Sequence, residues 1–273
     1  MAFSVFGFEI YMYPLMFEIA FILGIVYTIR VLKKRRIPAE IAMDLGIFVL
    51  IGAIVGSRLL FCLLDWNAYK DNLLMVFNTR KGGLSFHGGF FGGLIAGIWY
   101  LKAKKYSPWE FADLVAPIIP VGYAITRIGC FFMGCCYGIP FGDGKHFNPL
   151  LGWICSDTDW LNFYHHFPFV YRYPTQVYAI IFNIIIFLLL YRSRNHKHFP
   201  GYLMFLYVFY YSIYRFIVEA FRESQIILFG WLRTAQMASV VLGLLALLAI
   251  WYLERQYKRR AVDAAYEKQG ISG

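Results

Sequence analysis

The feature that most constrains this chain is a series of apolar runs, each about 20 residues long, the length at which a helix crosses the hydrocarbon core of a bilayer. Lipid offers the backbone no hydrogen-bond partner, so a segment that crosses it must be helical or belong to a closed barrel. The runs lie at residues 10–30, 43–64, 84–101, 111–127, 174–191, 202–221 and 235–253. The sequence predicts an all-α integral membrane protein with about seven transmembrane helices and a small extracytoplasmic head or lid.

Composition agrees, since 60% of the residues are hydrophobic and only 15% are charged. The net charge of +10 is concentrated in short basic clusters after the first, third, fifth and seventh runs, at residues 33–36, 102–105, 192–197 and 255–260. Basic loops stay in the cytoplasm, so this alternation predicts an external N-terminus and a cytoplasmic C-terminus. Because no continuous basic stripe is present, no nucleic-acid partner is expected.

The chain is interpreted as one transmembrane transferase domain over residues 1–260, followed by a cytoplasmic tail at 261–273. Two long outer segments, an arm at 65–83 and a head at 131–173, belong to that domain. The first apolar run follows no basic segment, so we expect it to be a retained helix and not a signal peptide. No internal repeat supports a transporter built from repeats.

Ionisable residues inside the runs are candidate functional residues, because burying them in lipid is unfavourable without a partner or a watery cavity. Arg58, Arg127 and Arg215 each lie about 15 residues into a run that starts in the cytoplasm, or ~22 Å at the helical rise. Tyr13 and His87 enter from outside at the same level. The sequence thus predicts that these five residues share one layer near the outer leaflet.

The arginines in this layer need anionic partners. Glu219 is expected to pair with Arg215 one helical turn away, on a face that includes Tyr211. Arg58 and Arg127 have no obvious carboxylate at that depth, and a guanidinium fork suits a phosphate. Each arginine could instead clamp two helices through carbonyl groups, and that alternative stays open here.

Glycines and cysteines are also concentrated in these regions. The spacing of Gly52 and Gly56, and of the row 89, 93 and 97, predicts close helix packing, while Gly88 and Gly89 follow His87 and are interpreted as admitting a ligand. Cys130, Cys135 and Cys136 lack a paired CxxC pattern. We expect neither a zinc site nor a covalent nucleophile there, because adjacent cysteines do not readily point at one ion.

Four runs of residues resemble, in order and spacing, the prolipoprotein diacylglyceryl transferase family. They are GLSFHGG at 83–89, RIGCFFMGCCYG at 127–138, YPTQVY at 173–178 and RFIVEAFR at 215–222; the opening YMYPLM at 11–16 and the late Gln236 are similar too. The resemblance implies seven transmembrane helices in the bacterial cytoplasmic membrane. It also implies transfer of the diacylglyceryl group of phosphatidylglycerol to the thiol of a lipobox cysteine, with release of glycerol phosphate.

The resemblance also implies residue roles. His87, Arg127 and Arg215 would be catalytic, and Tyr13, Gly138, Tyr211 and Glu219 would bind substrate; Arg58, Gly88 and Gly89 join the substrate-binding set from their position. The expected partners are phosphatidylglycerol, the prolipoprotein lipobox peptide and the bilayer. We expect a monomer that needs no cofactor and no metal.

The chain departs from the family pattern at four positions. Cys130 replaces an asparagine, Cys135 an acidic residue, Tyr173 a histidine and Ala179 a glutamate. Three alternatives therefore stay open: a paralogous transferase that uses the same lipid with another acceptor, an anion or lipid transporter, and a metal-linked or redox-linked membrane protein built on the cysteines.

Overall fold

The computed structural model describes residues 2–5, 8–70, 83–142, 148, 153–154, 171–195, 198–222, 227–228 and 232–268. These residues form nine α-helices and six short strands. The helices are α1 Met12–Lys34, α2 Glu40–Leu64, α3 Trp66–Tyr69, α4 Phe86–Ala103, α5 Pro108–Val115, α6 Ile118–Phe132, α7 Thr175–Ser193, α8 Tyr202–Glu219 and α9 Thr234–Lys268. The strands are β1 Ala2–Val5, β2 Phe8–Tyr11, β3 Trp153–Ile154, β4 Tyr171–Arg172, β5 Ile227–Leu228 and β6 Leu232–Arg233.

The strands pair as three antiparallel ribbons, β1 with β2, β3 with β4, and β5 with β6. In register, Ala2 pairs with Tyr11, Trp153 with Arg172, and Ile227 with Arg233. Most of the predicted outer arm and outer head, together with Cys155, lies outside the described residues. Helix α9 continues to Lys268, past the predicted end of the seventh span at residue 253.

Each of the seven predicted spans coincides with a helix, but the fourth is divided. Helices α5 and α6 meet at a bend of 49° after Val115. Pro117 and Pro120 lack the N–H that would continue the helical hydrogen bonds, and a proline disfavours helical geometry at the residue before it. The bend therefore follows from these two prolines.

The length and hydropathy of the helices confirm a membrane protein. They do not reproduce the predicted count of seven transmembrane helices. Among the described residues, four helices are long and apolar enough to cross a membrane: α1, α2, α7 and the Thr234–Arg260 part of α9. The bent pair α5 and α6 makes five if it is one span. Helices α4 and α8 each have 18 residues, and their many glycines and tyrosines lower their hydropathy.

Helix α7 shows how these helices are adapted to lipid. Its buried face carries Gln176 and Asn183, both 0% exposed, whereas Ile181 and Leu188 on the outer face are 52% and 57% exposed. The Asn183 side-chain amide donates to the carbonyl oxygen of Ala179 at 2.8 Å. Polar groups inside and aliphatic groups outside are the arrangement expected of a helix surrounded by hydrocarbon.

The chain divides into two compact units, Met1–Gly24 with Val115–Gly273, and Ile25–Leu114. The second unit contains a close pairing of α2 with α4. A Cβ on Gly56 would stand 2.8 Å from the Cα of Gly92, and a Cβ on Gly52 would stand 2.5 Å from that of Ala96. Close helix approach was predicted, but the tightest row on α4 is 88, 92 and 96, whereas the predicted row, 89, 93 and 97, packs more loosely.

The first unit has its core between α7 and α8. The side chains of Ile186 and Leu190 on α7 pack with Leu203, Leu206 and others on α8. Helix α9 packs along α8, where Gly243 comes close to Ser212: a Cβ at Gly243 would lie 3.3 Å from the Ser212 Cβ. This packing holds α8, which carries several candidate site residues, between two neighbouring helices.

Candidate active site

The first unit positions Arg127 on α6 through a tyrosine of the same helix. Arg127 Nη2 donates a hydrogen bond to the Tyr123 hydroxyl, and its Cζ lies 4.8 Å from the centre of the Tyr123 ring. The two residues are four positions apart, so their side chains stack on one helix face. The tyrosine therefore fixes the direction of the guanidinium group.

Tyr123 joins α6 to α8 through two further tyrosines. The Tyr214 hydroxyl donates to the Tyr123 hydroxyl at 3.3 Å, and the Tyr211 and Tyr214 rings lie 5.9 and 6.0 Å from the Tyr123 ring. The Tyr211 hydroxyl is close enough to Arg127 and Arg215 to interact electrostatically with both guanidinium groups. The structure thus brings Arg127, Tyr211 and Arg215 into one cluster. Tyr123 and Tyr214 were not predicted, because an apolar run gives no sign of which tyrosine meets which.

The predicted pairing of Arg215 with Glu219 is present. Arg215 Nη2 lies 3.0 Å from Glu219 Oε2, and the Glu219 side chain is only 4% exposed. A buried carboxylate needs a nearby cation, because transfer out of water disfavours its charge. The pair therefore anchors one side of the cluster near the end of α8.

Arg233 and Gln236 close the end of α8. The Arg233 guanidinium donates to the carbonyl oxygen of Glu219, and the Gln236 amide donates to that of Phe216 at 3.4 Å. The Gln236 side-chain oxygen also accepts from the Arg233 backbone N–H at 3.2 Å. Since the last carbonyl groups of a helix have no intrahelical donor, these side chains act as a cap. Arg233 was missed in the sequence, where it lies between two apolar segments without a motif.

Gly138 lies at a crowded junction of the first unit. Its N–H donates to the Tyr173 carbonyl at 2.8 Å, and its carbonyl accepts from Arg172 Nη1 at 3.1 Å. A Cβ at this position would overlap the Phe221 carbonyl oxygen and lie 2.8 Å from the Tyr173 Cβ. Glycine is therefore required by the close approach of the chain segments before α7 and after α8.

Tyr13 lies at the start of α1 against α6. A Cβ on Gly129 would lie 3.1 Å from the Tyr13 Cα, so the two helices meet at this glycine. Tyr13 is also near enough to Arg127 to interact with its charge. The structure thus places Tyr13 near Arg127 within the first unit, while the common level of these residues in the membrane stays a prediction.

The three cysteines lie close together. The argument that the adjacent Cys135 and Cys136 do not readily point at one ion is therefore wrong. The sulfur atoms of Cys130, Cys135 and Cys136 all lie within 4.8 Å of one another. Cys136 adopts φ +66°, a left-handed conformation that reorients its side chain relative to Cys135. Hydrogen bonds from the other two thiols, helped by the charges of Arg127 and Arg222, hold the pKa of the Cys136 thiol well below its usual range.

The remaining candidates belong to the second unit. His87 is exposed in the first turn of α4, where the Ser85 side chain caps the helix by accepting from the Gly88 N–H at 3.5 Å. Gly88 is buried against α2, where a Cβ would lie 2.7 Å from the Leu60 Cβ. Gly89 has more room, because a Cβ there would lie 3.4 Å from the Ala53 carbonyl oxygen. A ligand role for either glycine stays a prediction.

Arg58 is 6% exposed and makes contacts within the second unit. Its Nη1 donates to the Gly83 carbonyl at 3.2 Å, and its Cζ lies 5.8 Å and 5.3 Å from the Phe61 and Tyr69 ring centres. This is the geometry of a clamp between α2 and the segment before α4. A role of Arg58 in substrate binding stays a prediction, as does the meeting of His87 with the arginine cluster.

The apolar helices define the class of this chain, an α-helical integral membrane protein, and its helices hold a cluster of arginines and tyrosines. Residues 1–252 match the family model described as prolipoprotein diacylglyceryl transferase. The chain therefore belongs to that family.

Several relatives carry the name phosphatidylglycerol–prolipoprotein diacylglyceryl transferase. One from Bacillus cytotoxicus is 33% identical over 267 residues, covering 96% of this chain and 93% of the relative. One from Halalkalibacterium halodurans is 33% identical, covering 96% and 86%, and one from Clostridioides difficile is 30% identical, covering 94% and 96%. The similarity thus extends over nearly the whole length of each pair.

Proposed function

We propose that this protein transfers the diacylglyceryl group of phosphatidylglycerol to the thiol of the lipobox cysteine of prolipoproteins and releases glycerol phosphate. Family membership over residues 1–252 and the shared name of relatives that cover at least 94% of the chain support this reaction. The structural observation that carries it is the position of Tyr211 near two guanidinium groups, those of Arg127 and Arg215. Two such groups around one point suit a phosphate diester.

Arg127 is the better placed of the two for binding the phosphate. Arg215 is already paired with Glu219 at 3.0 Å, whereas no carboxylate of the described ranges lies at ion-pair distance from Arg127. Tyr123 engages one Nη atom of Arg127. A guanidinium has five N–H donors, so a fork remains for two phosphate oxygens. Arg127 would thus grip the phosphate, and Arg215 would add positive charge nearby.

The reaction follows from this arrangement. The acceptor sulfur attacks C3 of the glyceryl group, forming a C–S bond while the bond from C3 to the phosphate oxygen breaks. The electron pair leaves with that oxygen, and the arginines stabilise the added negative charge. The thiol proton must be removed, and the exposed His87 is proposed to take it, as the resemblance of its SFHGG run implies.

The decisive assay uses the purified protein in micelles that contain phosphatidylglycerol. Adding a lipobox peptide should release glycerol phosphate and raise the peptide mass by one diacylglyceryl group. The same peptide with serine in place of its cysteine should release none. If the protein binds the lipid but the cysteine peptide stimulates no release, the thiol acceptor is wrong, and transfer to another acceptor takes its place.

We also propose that the protein lies as a monomer in the bacterial cytoplasmic membrane, with its N-terminus outside and its C-terminus inside. The alternating basic clusters support this orientation. The reaction needs one donor and one acceptor, so a second copy has no required role. Reporter fusions after Arg36 and after Asp143 should fall on opposite sides of the membrane. Finding both reporters on one side would refute the orientation.

A further inference from the structure

Three thiols of the first unit converge although the proposed transfer has no use for them. The sulfur atoms of Cys130, Cys135 and Cys136 lie within 4.8 Å of one another. Zinc binds thiolates at about 2.3 Å with tetrahedral angles, which separates neighbouring sulfurs by about 3.8 Å. Closing the triad around one ion therefore needs side-chain shifts of only about 1 Å.

The backbone holds this arrangement at some conformational expense. Cys136 has φ +66°, which is uncommon for a residue with a Cβ and is maintained where surrounding contacts enforce it. Those contacts are present, because the Thr175 hydroxyl donates to the Cys136 carbonyl at 2.6 Å and the Gln176 amide donates to the Cys135 carbonyl at 2.5 Å. The Cys135 N–H donates to the Cys130 carbonyl at 3.2 Å. Hydrogen bonds to the carbonyl groups of all three cysteines thus hold the backbone that orients the thiols.

Charge and access favour a divalent cation. Three thiolates and one divalent ion leave one net negative charge, and Arg127 and Arg222 both lie close enough to interact with the cluster. Thiolate sulfur is a soft ligand that favours thiophilic metals such as zinc. Cys130 is buried and anchors the site, whereas Cys136 is exposed, so an ion has a path to it.

We propose that Cys130, Cys135 and Cys136 bind a divalent thiophilic cation such as Zn²⁺, with a fourth coordination position open on the side of Cys136. Binding displaces the protons of those thiols that are still protonated, and these protons pass to solvent. The fourth position takes water or an external ligand, as in sites with three protein ligands. The site would be a feature of this chain, because Cys130 and Cys135 stand where the family pattern has other residues.

The test measures zinc bound to the reduced full-length protein in detergent, by elemental analysis after removal of excess metal. One equivalent is expected in the wild-type protein and in Cys62→Ser, a control at a buried cysteine on α2. Cys135→Ser and Cys136→Ser should each weaken binding by at least about a hundredfold, more than the loss of a supporting contact. Cobalt substitution should give a thiolate charge-transfer band in the wild type that is absent from Cys136→Ser.

Two outcomes would overturn the site. The first is zinc content that stays the same in Cys136→Ser, which would place the ion elsewhere. The second is a reduced wild-type protein that binds no zinc. In that case a mild disulfide oxidant would be added, to test whether two of these cysteines form a disulfide with loss of two hydrogens. Linkage in that case would identify a dithiol pair. Neither readout depends on lipid transfer, so failure here leaves the proposed function untouched.

Discussion

Replacing Arg127 with lysine tests whether the guanidinium grips phosphate in the transition state. The substitution keeps the positive charge but removes the planar fork. One donor of Arg127 is engaged by Tyr123, and the lysine ammonium can replace that bond. Its two other N–H groups diverge, so they cannot match two phosphate oxygens side by side.

The expected loss follows from this geometry. Removal of one contact that stabilises developing charge costs about 3 to 4 kcal/mol, which corresponds to about two to three orders of magnitude in rate. The contact strengthens as the leaving phosphate gains charge, so kcat should fall more than KM rises. Thermal stability should change little, because lysine retains the charge and can still reach the Tyr123 hydroxyl.

Initial rates of glycerol phosphate release with the lipobox peptide measure the effect. Arg194→Lys is the matched control, because the Arg194 Cζ lies 3.5 Å from the Tyr191 ring centre at the end of α7. That variant makes the same exchange over a tyrosine ring and should keep wild-type activity. A folded Arg127→Lys protein with kcat near the wild-type value would refute the role of the fork.

Three further predictions concern other positions. His87→Ala should reduce transfer while phosphatidylglycerol binding, measured by co-purified lipid, stays near wild type; loss of lipid binding would contradict a role limited to the acceptor proton. Gly138→Ala should markedly lower the midpoint temperature of thermal unfolding, because the new Cβ would overlap the Phe221 carbonyl oxygen. Gly122→Ala should not lower it, because the Cβ there would make an ordinary contact with the Ala20 Cβ at 3.8 Å. Equal midpoints for the two variants would refute the crowding at Gly138. Glu219→Gln should lower the free energy of unfolding by about 1 to 3 kcal/mol, since it leaves the partly buried Arg215 guanidinium without its anion. The control Glu254→Gln removes an ion pair to an exposed lysine and should lower it by less than about 1 kcal/mol. A larger loss of stability in Glu254→Gln than in Glu219→Gln would contradict the burial argument.

The sequence predicted where helices occur because an apolar run of about 20 residues has few other solutions. It did not predict the bend between α5 and α6, although Pro117 and Pro120 were visible, because prolines inside a run can kink a helix or be accommodated. It also predicted a glycine row on α4 but not that the row at 88, 92 and 96 would pack most tightly. That choice depends on rotation of each helix about its axis, which neighbouring helices determine.

The candidate site was predictable where its partners lie on one helix. Arg215 and Glu219 are four residues apart, so their pairing follows from helical spacing. The bond between Tyr123 and Tyr214 joins residues 91 positions apart, and no periodicity in either helix specifies it. The convergence of the cysteines depends on the left-handed conformation of Cys136, which the residue type gives no reason to expect.

Arg58 and Arg127 show why depth in the membrane identifies candidates but does not separate their roles. Both were predicted at the same level, and neither had an obvious carboxylate partner. Arg58 is buried, donates to a carbonyl group and lies over two aromatic rings, so its charge is stabilised within its own unit. Arg127 is half-buried and donates to a tyrosine hydroxyl, which offers no full negative charge. Of these two arginines, Arg127 is therefore the better match for a phosphate, because its hydrogen bond to Tyr123 engages one Nη atom and leaves other N–H groups of the guanidinium to donate to phosphate oxygens.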